Sequence, residues 1–158
     1  MRDLQMGRAE SLSQSPVREV IATEGAPAAV GPYSQAIRAG DFIYTAGQLG
    51  IDPARGKLVE GGIEAQTRQA LTNLKAVLEA AGSNMERVVK VTVFLQDINN
   101  FKSMNGVYAE FFASDPPARA AGTCGYERRR RTWRVLLLPV CRSPPWFERF
   151  VNLFRQDL

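Results

Sequence analysis

The order of hydrophobic patterns along the chain predicts an α+β fold, with two helices on one face of a mainly antiparallel sheet. Three observations carry this prediction. Short strand patterns precede a long helical period, an alternating strand follows that period, and a second helical period comes next. The 158 residues suit one domain, and 45% hydrophobic with 23% charged residues is typical of a globular protein.

The first strands are marked by the turns between them. Residues 19–23 are predicted as a short strand. Residues 34–38 and 42–46 form two further strand patterns around Gly40, which is the glycine that a tight hairpin needs. We therefore expect an antiparallel pair here, followed by a second turn over 52–56.

The most regular pattern is a helix over 63–81, where apolar residues recur at steps of three and four. Gly82 follows it at the place of a left-handed C-terminal cap. Residues 87–96 then alternate as a half-buried strand, with these residues on one face: Val89, Val91, Val93 and Leu95. A second helix is predicted from about Asn99 or Asn100, either of which is expected to cap it, and it stops before Pro116.

The composition changes sharply near residue 121. Residues 1–120 hold 12 Lys and Arg against 13 Asp and Glu, whereas 121–158 hold 8 arginines against 3 acidic residues. We divide the chain into a polar extension (1–18), a folded domain (19–121) and an Arg-rich tail (122–158). The predicted sheet still lacks closing strands, and residues 132–140 are the one candidate for such a strand in the tail.

Pro139 restricts that candidate to an edge or to a strand end, because proline lacks the N–H of a sheet ladder. The run Arg128–Arg131 fits a phosphate-binding or localisation patch, or a solvated charge cluster, and we favour a tail built under different rules from the domain. Residues 146–154 could form an amphipathic helix.

Composition also excludes several classes of protein and of active site. The chain has no histidine, so the usual zinc ligand sets and Ser-His or Cys-His nucleophile pairs cannot form. Its two cysteines, Cys124 and Cys141, are too few for a disulfide scaffold. No apolar run is long enough to span a membrane, and the first 18 residues lack the apolar core of a secretory signal, so we expect a cytoplasmic protein.

Five segments, taken together and in order, resemble the RidA/YjgF family of reactive intermediate deaminases. The resemblance runs from about Val17 to Ala121, roughly two thirds of the chain. The segments are 26–36 (APAAVGPYSQA), 45–48 (TAGQ), 88–99 (VVKVTVFLQDIN), 101–105 (FKSMN) and 116–119 (PPAR).

The resemblance implies a chorismate-mutase-like subunit that assembles as a homotrimer, with ligand clefts between neighbouring subunits. It implies hydrolysis of 2-enamines and 2-imines of the 2-aminoacrylate type to 2-keto acids and ammonia. Its partners are thus small 2-imino and 2-keto acids, and it implies no metal or organic cofactor. The sequence adds no membrane partner and gives only weak support for a nucleic-acid partner. In a eukaryote, relatives occur in mitochondria as well as in the cytoplasm.

The resemblance also assigns site residues. Arg119 matches the arginine that grips the substrate carboxylate, a role for which a planar guanidinium is suited because it forms two parallel hydrogen bonds. Tyr33, Gly47 and Asn105 match residues that line the cleft. Each also has a plain structural reading: a loop charge for Arg119, a packed tyrosine, a turn glycine and a solvated helix asparagine.

The chain departs from the family after Ala121. The glutamate that activates water in the family is missing, and Arg134 stands near its place, while Glu127 and Glu148 sit in no matching motif. A change of reading frame would produce such an arginine-rich tail. The sequence therefore predicts a deaminase impaired at the water-activating step, with two alternatives: a non-catalytic small-ligand-binding or regulatory member of the family, or an RNA-interacting protein.

Overall fold

A computed structural model describes residues 18–123 and 135–142 of the chain, the latter as backbone. Short 3-10 turns precede the sixth strand, at Met85–Arg87, and the second helix, at Ile98–Asn100. The helices are α1 (Gly62–Ala80) and α2 (Phe101–Phe111). The strands are β1 (Arg18–Ile21), β2 (Ala36–Ala39), β3 (Phe42–Thr45), β4 (Ile51–Asp52), β5 (Lys57–Leu58), β6 (Val88–Leu95), β7 (Ala118–Thr123) and β8 (Val135–Arg142).

Six of these strands form one sheet in the order β1-β2-β3-β8-β6-β7. All neighbours are antiparallel except β6 and β7, which run parallel because α2 carries the chain back across the sheet between them. Strands β4 and β5 form a separate hairpin. The predicted α+β class, with a mainly antiparallel sheet, is confirmed.

The core lies between one face of this sheet and the two helices. Strand residues that point inward alternate with exposed ones, as Ile43 does between Phe42 and Tyr44. The helices contribute the apolar stripe that the sequence predicts. Core residues with no more than 4% exposure include Ile43, Leu71, Leu74, Leu78, Val91, Val93, Leu95, Met104 and Tyr108.

Helix α1 ends where the sequence predicts. Its C-terminal end also contacts a buried arginine, which the sequence does not predict. Gly82 has a φ of 69°, the left-handed conformation of a helix stop. The buried Arg38 on β2 donates from Nη2 to the carbonyl oxygen of Ala81, and its Nη1 lies 3.5 Å from a carboxylate oxygen of Glu19. Burial lowers the pKa of Arg38 and Glu19 opposes that shift. This cation lies at the negative end of the helix dipole.

Strand β6 differs from its prediction in one detail. The register against β8 shifts between Val88 and Lys90, so that a bulge interrupts the alternation. Val88 is buried and Val89, which the sequence places on the core face, is 44% exposed. From Val91 onward the predicted face is the buried one.

The start of the second helix is also different. The side chain of Asp97 accepts a hydrogen bond from the Asn99 backbone N–H at 2.9 Å, which caps the 3-10 turn ahead of α2. Asn100 precedes α2 and makes no side-chain cap bond. Asn100 therefore stands at the predicted N-cap position, but the expected side-chain cap is absent, because the chain enters the helix through a 3-10 turn that begins earlier.

Strand β8 corrects the placement expected from Pro139. It lies inside the sheet, between β3 and β6, rather than at an edge. Pairing with β3 covers only residues 140–142, so that at Pro139 the strand pairs with β6 alone, opposite Val91. On the β3 side, therefore, no paired residue lies opposite Pro139 to require the N–H that proline lacks. The tail therefore contributes a closing strand to the sheet.

Other predictions on the tail fall outside the described residues, and the three-part division of the chain stays a prediction. Residues outside the described ranges include Cys124, Glu127, the run 128–131, Arg134 and the segment 146–154. Among the described helices, none is long and apolar enough to cross a membrane.

Candidate functional site

Arg119 lies on β7, the edge strand of the sheet, and its side chain reaches over helix α2. The guanidinium carbon is 4.6 Å from the centre of the Tyr108 ring and 5.4 Å from that of Phe101. Pro116-Pro117 lies in the connection between the end of α2 at Phe111 and β7, which runs parallel to β6. Arg119 is therefore a half-buried strand residue on two aromatic rings, and the reading as a loop charge is wrong.

Asn105 belongs to the same surface by its position on the helix. It follows Phe101 by four residues and precedes Tyr108 by three, and residues at these spacings share one helix face. It is half-buried. We call Phe101, Asn105, Tyr108 and Arg119 the guanidinium seat.

Tyr108 forms the floor of the guanidinium seat. Its side chain is 4% exposed and its ring stacks on Phe112, with centroids 4.6 Å apart. The hydroxyl is buried and makes no hydrogen bond to any described residue. Burial raises the pKa of Tyr108 to about 12, against the opposing charge of Arg119. The phenol therefore stays neutral, and its ring serves as an apolar and cation-binding surface.

Tyr33 and Gly47 line a different cavity, a cleft of about 290 Å³. Its walls come from residues 27–35 and 46–56, and we call it the loop cleft. The Tyr33 ring is 51% exposed, and its hydroxyl accepts a hydrogen bond from the Val30 N–H at 3.3 Å. The tyrosine thus closes a turn of its own loop and still presents its ring to solvent.

The first wall of the loop cleft is held by Gln35, a residue to which the sequence assigns no role. The buried amide accepts a hydrogen bond from the Thr23 N–H at 2.6 Å. Its Nε2 lies 3.0 Å from the Thr23 carbonyl oxygen, 3.2 Å from that of Ala26 and 2.9 Å from that of Pro27. One side chain therefore fixes the loop that leads to Tyr33.

The second wall is fixed to α1. The fully buried Asn73 donates to the carbonyl oxygens of Leu49 and Ile51, at 3.0 and 2.8 Å. Between them, Gly50 lies so close to the helix that an added Cβ would meet the Cα of Gln66 at 2.6 Å. These contacts hold residues 49–51 against α1, two residues beyond Gly47.

The four predicted site residues thus fall into two groups on one chain. Tyr33 and Gly47 lie beside β2 and β3, whereas Asn105 and Arg119 lie at β7. Strands β8 and β6 separate β3 from β7, so three strand spacings, roughly 14 Å, lie between the groups. The chain by itself does not bring the two groups together.

Other sites are less suited to chemistry. No cluster of three or more metal-binding side chains occurs among residues 18–123 and 135–142. A groove of about 510 Å³ between the helices is lined by both charge signs, and there Arg68 and Glu110 form a two-bond ion pair at 2.5 and 2.8 Å. That pair lowers the pKa of Glu110 and raises that of Arg68, chiefly through these hydrogen bonds.

Comparison with known proteins adds the decisive finding. A family model described as Endoribonuclease L-PSP matches residues 23–126, well over half of the chain. The chain belongs to this family, the RidA/YjgF family. The resemblance in the five sequence segments is thereby confirmed.

Members of the RidA/YjgF family match at high identity. A RutC family protein from Pyrococcus horikoshii is 57% identical over 105 residues, which is 66% of this chain and 83% of the relative. The Bos taurus protein named 2-iminobutanoate/2-iminopropanoate deaminase is 54% identical over 105 residues, 66% of this chain and 77% of the relative. The crystal structure of E. coli TdcF with bound serine matches with a TM-score of 0.74 at 30% identity, over 80% of this chain and 99% of that chain.

The sequence did not indicate the residues that hold the predicted site residues in place. Gln35 and Tyr108 appear in the predicted elements only as a strand residue and a helix-face aromatic. Their partners lie 8 to 12 residues away for Gln35 and on β7 for Tyr108. The spacing of Phe101, Asn105 and Tyr108 on one helix face was the available signal for the seat.

Proposed function

We propose that this chain hydrolyses 2-imino acids to 2-keto acids and ammonia, with Arg119 as the carboxylate-binding residue. One observation carries the proposal. The Arg119 guanidinium is half-buried on two aromatic rings, and no carboxylate among the described residues forms an ion pair with it. A guanidinium that packs on aromatic rings and has no carboxylate partner among the described residues favours an anionic ligand. The deaminase names of the mammalian relatives and the serine bound by TdcF support a small amino-acid-like carboxylate.

The chemistry requires an oriented C=N carbon, a water molecule and a proton acceptor. Water adds to the C=N carbon, and the acceptor relays its proton to the imine nitrogen, which gives a carbinolamine. The carbinolamine hydroxyl proton then moves to the same nitrogen, and ammonia leaves as the C=O bond forms. A guanidinium that holds the neighbouring carboxylate by two parallel hydrogen bonds fixes the C=N plane. In this proposal Asn105 supplies a further polar contact, while Tyr33 and Gly47 enclose the side of the substrate.

We place the complete site between two copies of the chain. A 2-imino acid is too small to bridge the strands that separate Tyr33 and Gly47 from Arg119 within one chain. The sheet face opposite the helices carries exposed apolar residues, among them Val20, Phe42 and Tyr44, at 54%, 41% and 49% exposure. An apolar face of this kind is typical of an interface. Both observations support the homotrimer that the resemblance implies.

We expect turnover that is slower than in relatives that carry the water-activating glutamate. The sequence has no matching glutamate after Ala121, and general-base catalysis contributes about 10²–10⁴-fold. Binding and orientation by Arg119 remain. The expected result is therefore a lowered kcat with a KM in the usual range.

The first test is imine hydrolysis by the purified full-length chain. An amino-acid oxidase generates the 2-imino acid in situ, and the Bos taurus deaminase runs in parallel. Arg119→Ala is expected to abolish turnover, whereas Arg87→Ala, which removes a half-buried arginine from the 3-10 turn before β6, serves as the matched control. Equal turnover by Arg119→Ala and the parent chain would contradict the assignment.

A second test asks whether two chains share one site. Tyr33→Ala and Arg119→Ala chains are unfolded together, refolded as a mixture and assayed. If each cleft takes Tyr33 from one chain and Arg119 from its neighbour, about one quarter of the clefts regain both residues. Sedimentation analysis reports the assembly state. Mixed trimers with no more activity than either variant alone would show that the cleft is not shared.

The missing glutamate is also the observation that favours a non-catalytic binding protein. Pyruvate, a 2-keto acid, distinguishes the two functions. A rise in Tm that saturates with pyruvate and depends on Arg119, without imine hydrolysis, would favour binding over catalysis. An RNA-interacting protein would instead bind RNA in a salt-dependent way.

A further inference from the structure

We propose that Tyr108 and Phe101 are positioning residues that set the affinity of the site by holding the Arg119 guanidinium in its carboxylate-binding orientation. This inference rests on the proposed function. Neither residue is assigned a role by the resemblance, which stops at Arg119 and the cleft residues.

The geometry carries the inference. The guanidinium carbon lies 4.6 Å from one ring centre and 5.4 Å from the other, both within the range of cation–π attraction. The two rings are seven residues apart on α2, so they lie on one helix face two turns apart. An arginine side chain has several rotatable bonds, and two ring contacts restrict them before a ligand arrives.

The hydrogen-bonding pattern indicates that the aromatic ring matters rather than the phenol. The Tyr108 hydroxyl is buried and has no hydrogen-bond partner among the described residues. A buried hydroxyl without a partner costs stability, so removing it should not harm the fold. Burial also keeps the phenol neutral, so the attraction for the guanidinium comes from the ring face and not from a phenolate charge. Tyr108→Phe is therefore a conservative variant that keeps the proposed function of the ring.

Phe112 provides a matched control for the loss of a buried ring. It is 7% exposed and stacks on Tyr108 from the side, and the rings that contact Arg119 are Tyr108 and Phe101. Phe112→Leu and Tyr108→Leu both remove an aromatic ring from the same cluster. Only Tyr108→Leu removes a ring that contacts the guanidinium.

The experiment measures kcat and KM of imine hydrolysis for the full-length parent and the variants Tyr108→Leu, Tyr108→Phe, Phe101→Leu and Phe112→Leu. We expect KM to rise about tenfold in Tyr108→Leu and severalfold in Phe101→Leu, with kcat within about twofold. Tyr108→Phe should restore KM to within about twofold of the parent, and Phe112→Leu should lower Tm without changing KM. Phe101 is half-buried, so Phe101→Leu tests the inference even if Tyr108→Leu does not fold.

Three results would overturn the inference, and the third is distinguishable from the first two. If Arg119→Ala abolishes turnover but KM is unchanged in Phe101→Leu and in folded Tyr108→Leu, the rings do not position the guanidinium. A KM that rises equally in Phe112→Leu would have the same meaning. If Arg119→Ala turns over like the parent chain, the proposed function fails, and this inference fails with it.

Discussion

Replacing Gly50 with alanine tests how closely the wall of the loop cleft packs on α1. An added Cβ would lie 2.6 Å from the Gln66 Cα and 2.7 Å from its carbonyl oxygen, whereas ordinary contacts begin at 3.4 Å. The segment must therefore move by roughly 1 Å away from the helix, since the obstacle is backbone. Gly50 does not have a positive φ, so its backbone conformation allows alanine and the cost of the substitution is steric.

The expected cost is about 2–3 kcal/mol, because overpacking is joined by strain on neighbouring hydrogen bonds. Asn73 donates to the carbonyl oxygens of Leu49 and Ile51, on either side of Gly50, and these bonds lengthen as the segment moves. For a chain of this size the loss corresponds to a fall in Tm of about 5–10 °C.

Gly106→Ala is the matched control, with the opposite sign. Gly106 lies inside α2, and an added Cβ would meet nothing within 4 Å. Alanine in place of a helical glycine stabilises by about 0.5–1 kcal/mol. Thermal unfolding followed by circular dichroism measures both variants. A Gly50→Ala chain that melts with the parent would refute the argument from close approach.

The remaining predictions concern buried and paired polar groups. Gln35→Ala should cost about 3 kcal/mol in urea unfolding, because several backbone groups lose their buried amide partner, and an unchanged unfolding midpoint would contradict this. Arg38→Met should lower stability by about 2 kcal/mol through loss of the bond to Ala81, and a hydrogen-exchange rise confined to the end of α1 would locate the effect. Glu110→Gln should lower Tm at pH 7, since Arg68 depresses the pKa of Glu110 and the pair stabilises above the unfolded carboxyl pKa. The two Tm values should converge as the pH falls through the carboxyl range, and a constant difference down to acid pH would exclude this ion pair as the cause.

Local patterns predict the elements of this fold well because neighbours in sequence set them. The period of α1, the stop at Gly82 and the hairpin around Gly40 all depend on residues within a few positions. Two local predictions, the exposure of Val89 and the side-chain cap of α2, are wrong where a strand or a turn is irregular. The bulge beside Val89 depends on how β6 meets β8, and the entry to α2 depends on a 3-10 turn.

The site was harder to predict, because its supporting contacts are distant in sequence. Arg38 reads as an ordinary strand cation, yet it is buried against the end of a helix 43 residues away. Arg119 could be singled out only through the family resemblance. The two aromatic rings beneath its guanidinium contact it only because the fold brings β7 and α2 together. Contacts of this kind need the tertiary structure, since no local period encodes them.

The inner position of β8 has a consequence for biosynthesis. Until residues 135–142 have left the ribosome, the sheet exists as two separate ladders, β1-β2-β3 and β6-β7, each with an open inner edge. Open strand edges pair readily with other chains, and a strand that pairs with residues about 98 and 45 positions earlier arrives late. Nascent chains should therefore need protection from aggregation until β8 is made, and a change in this short segment acts on both halves of the sheet at once.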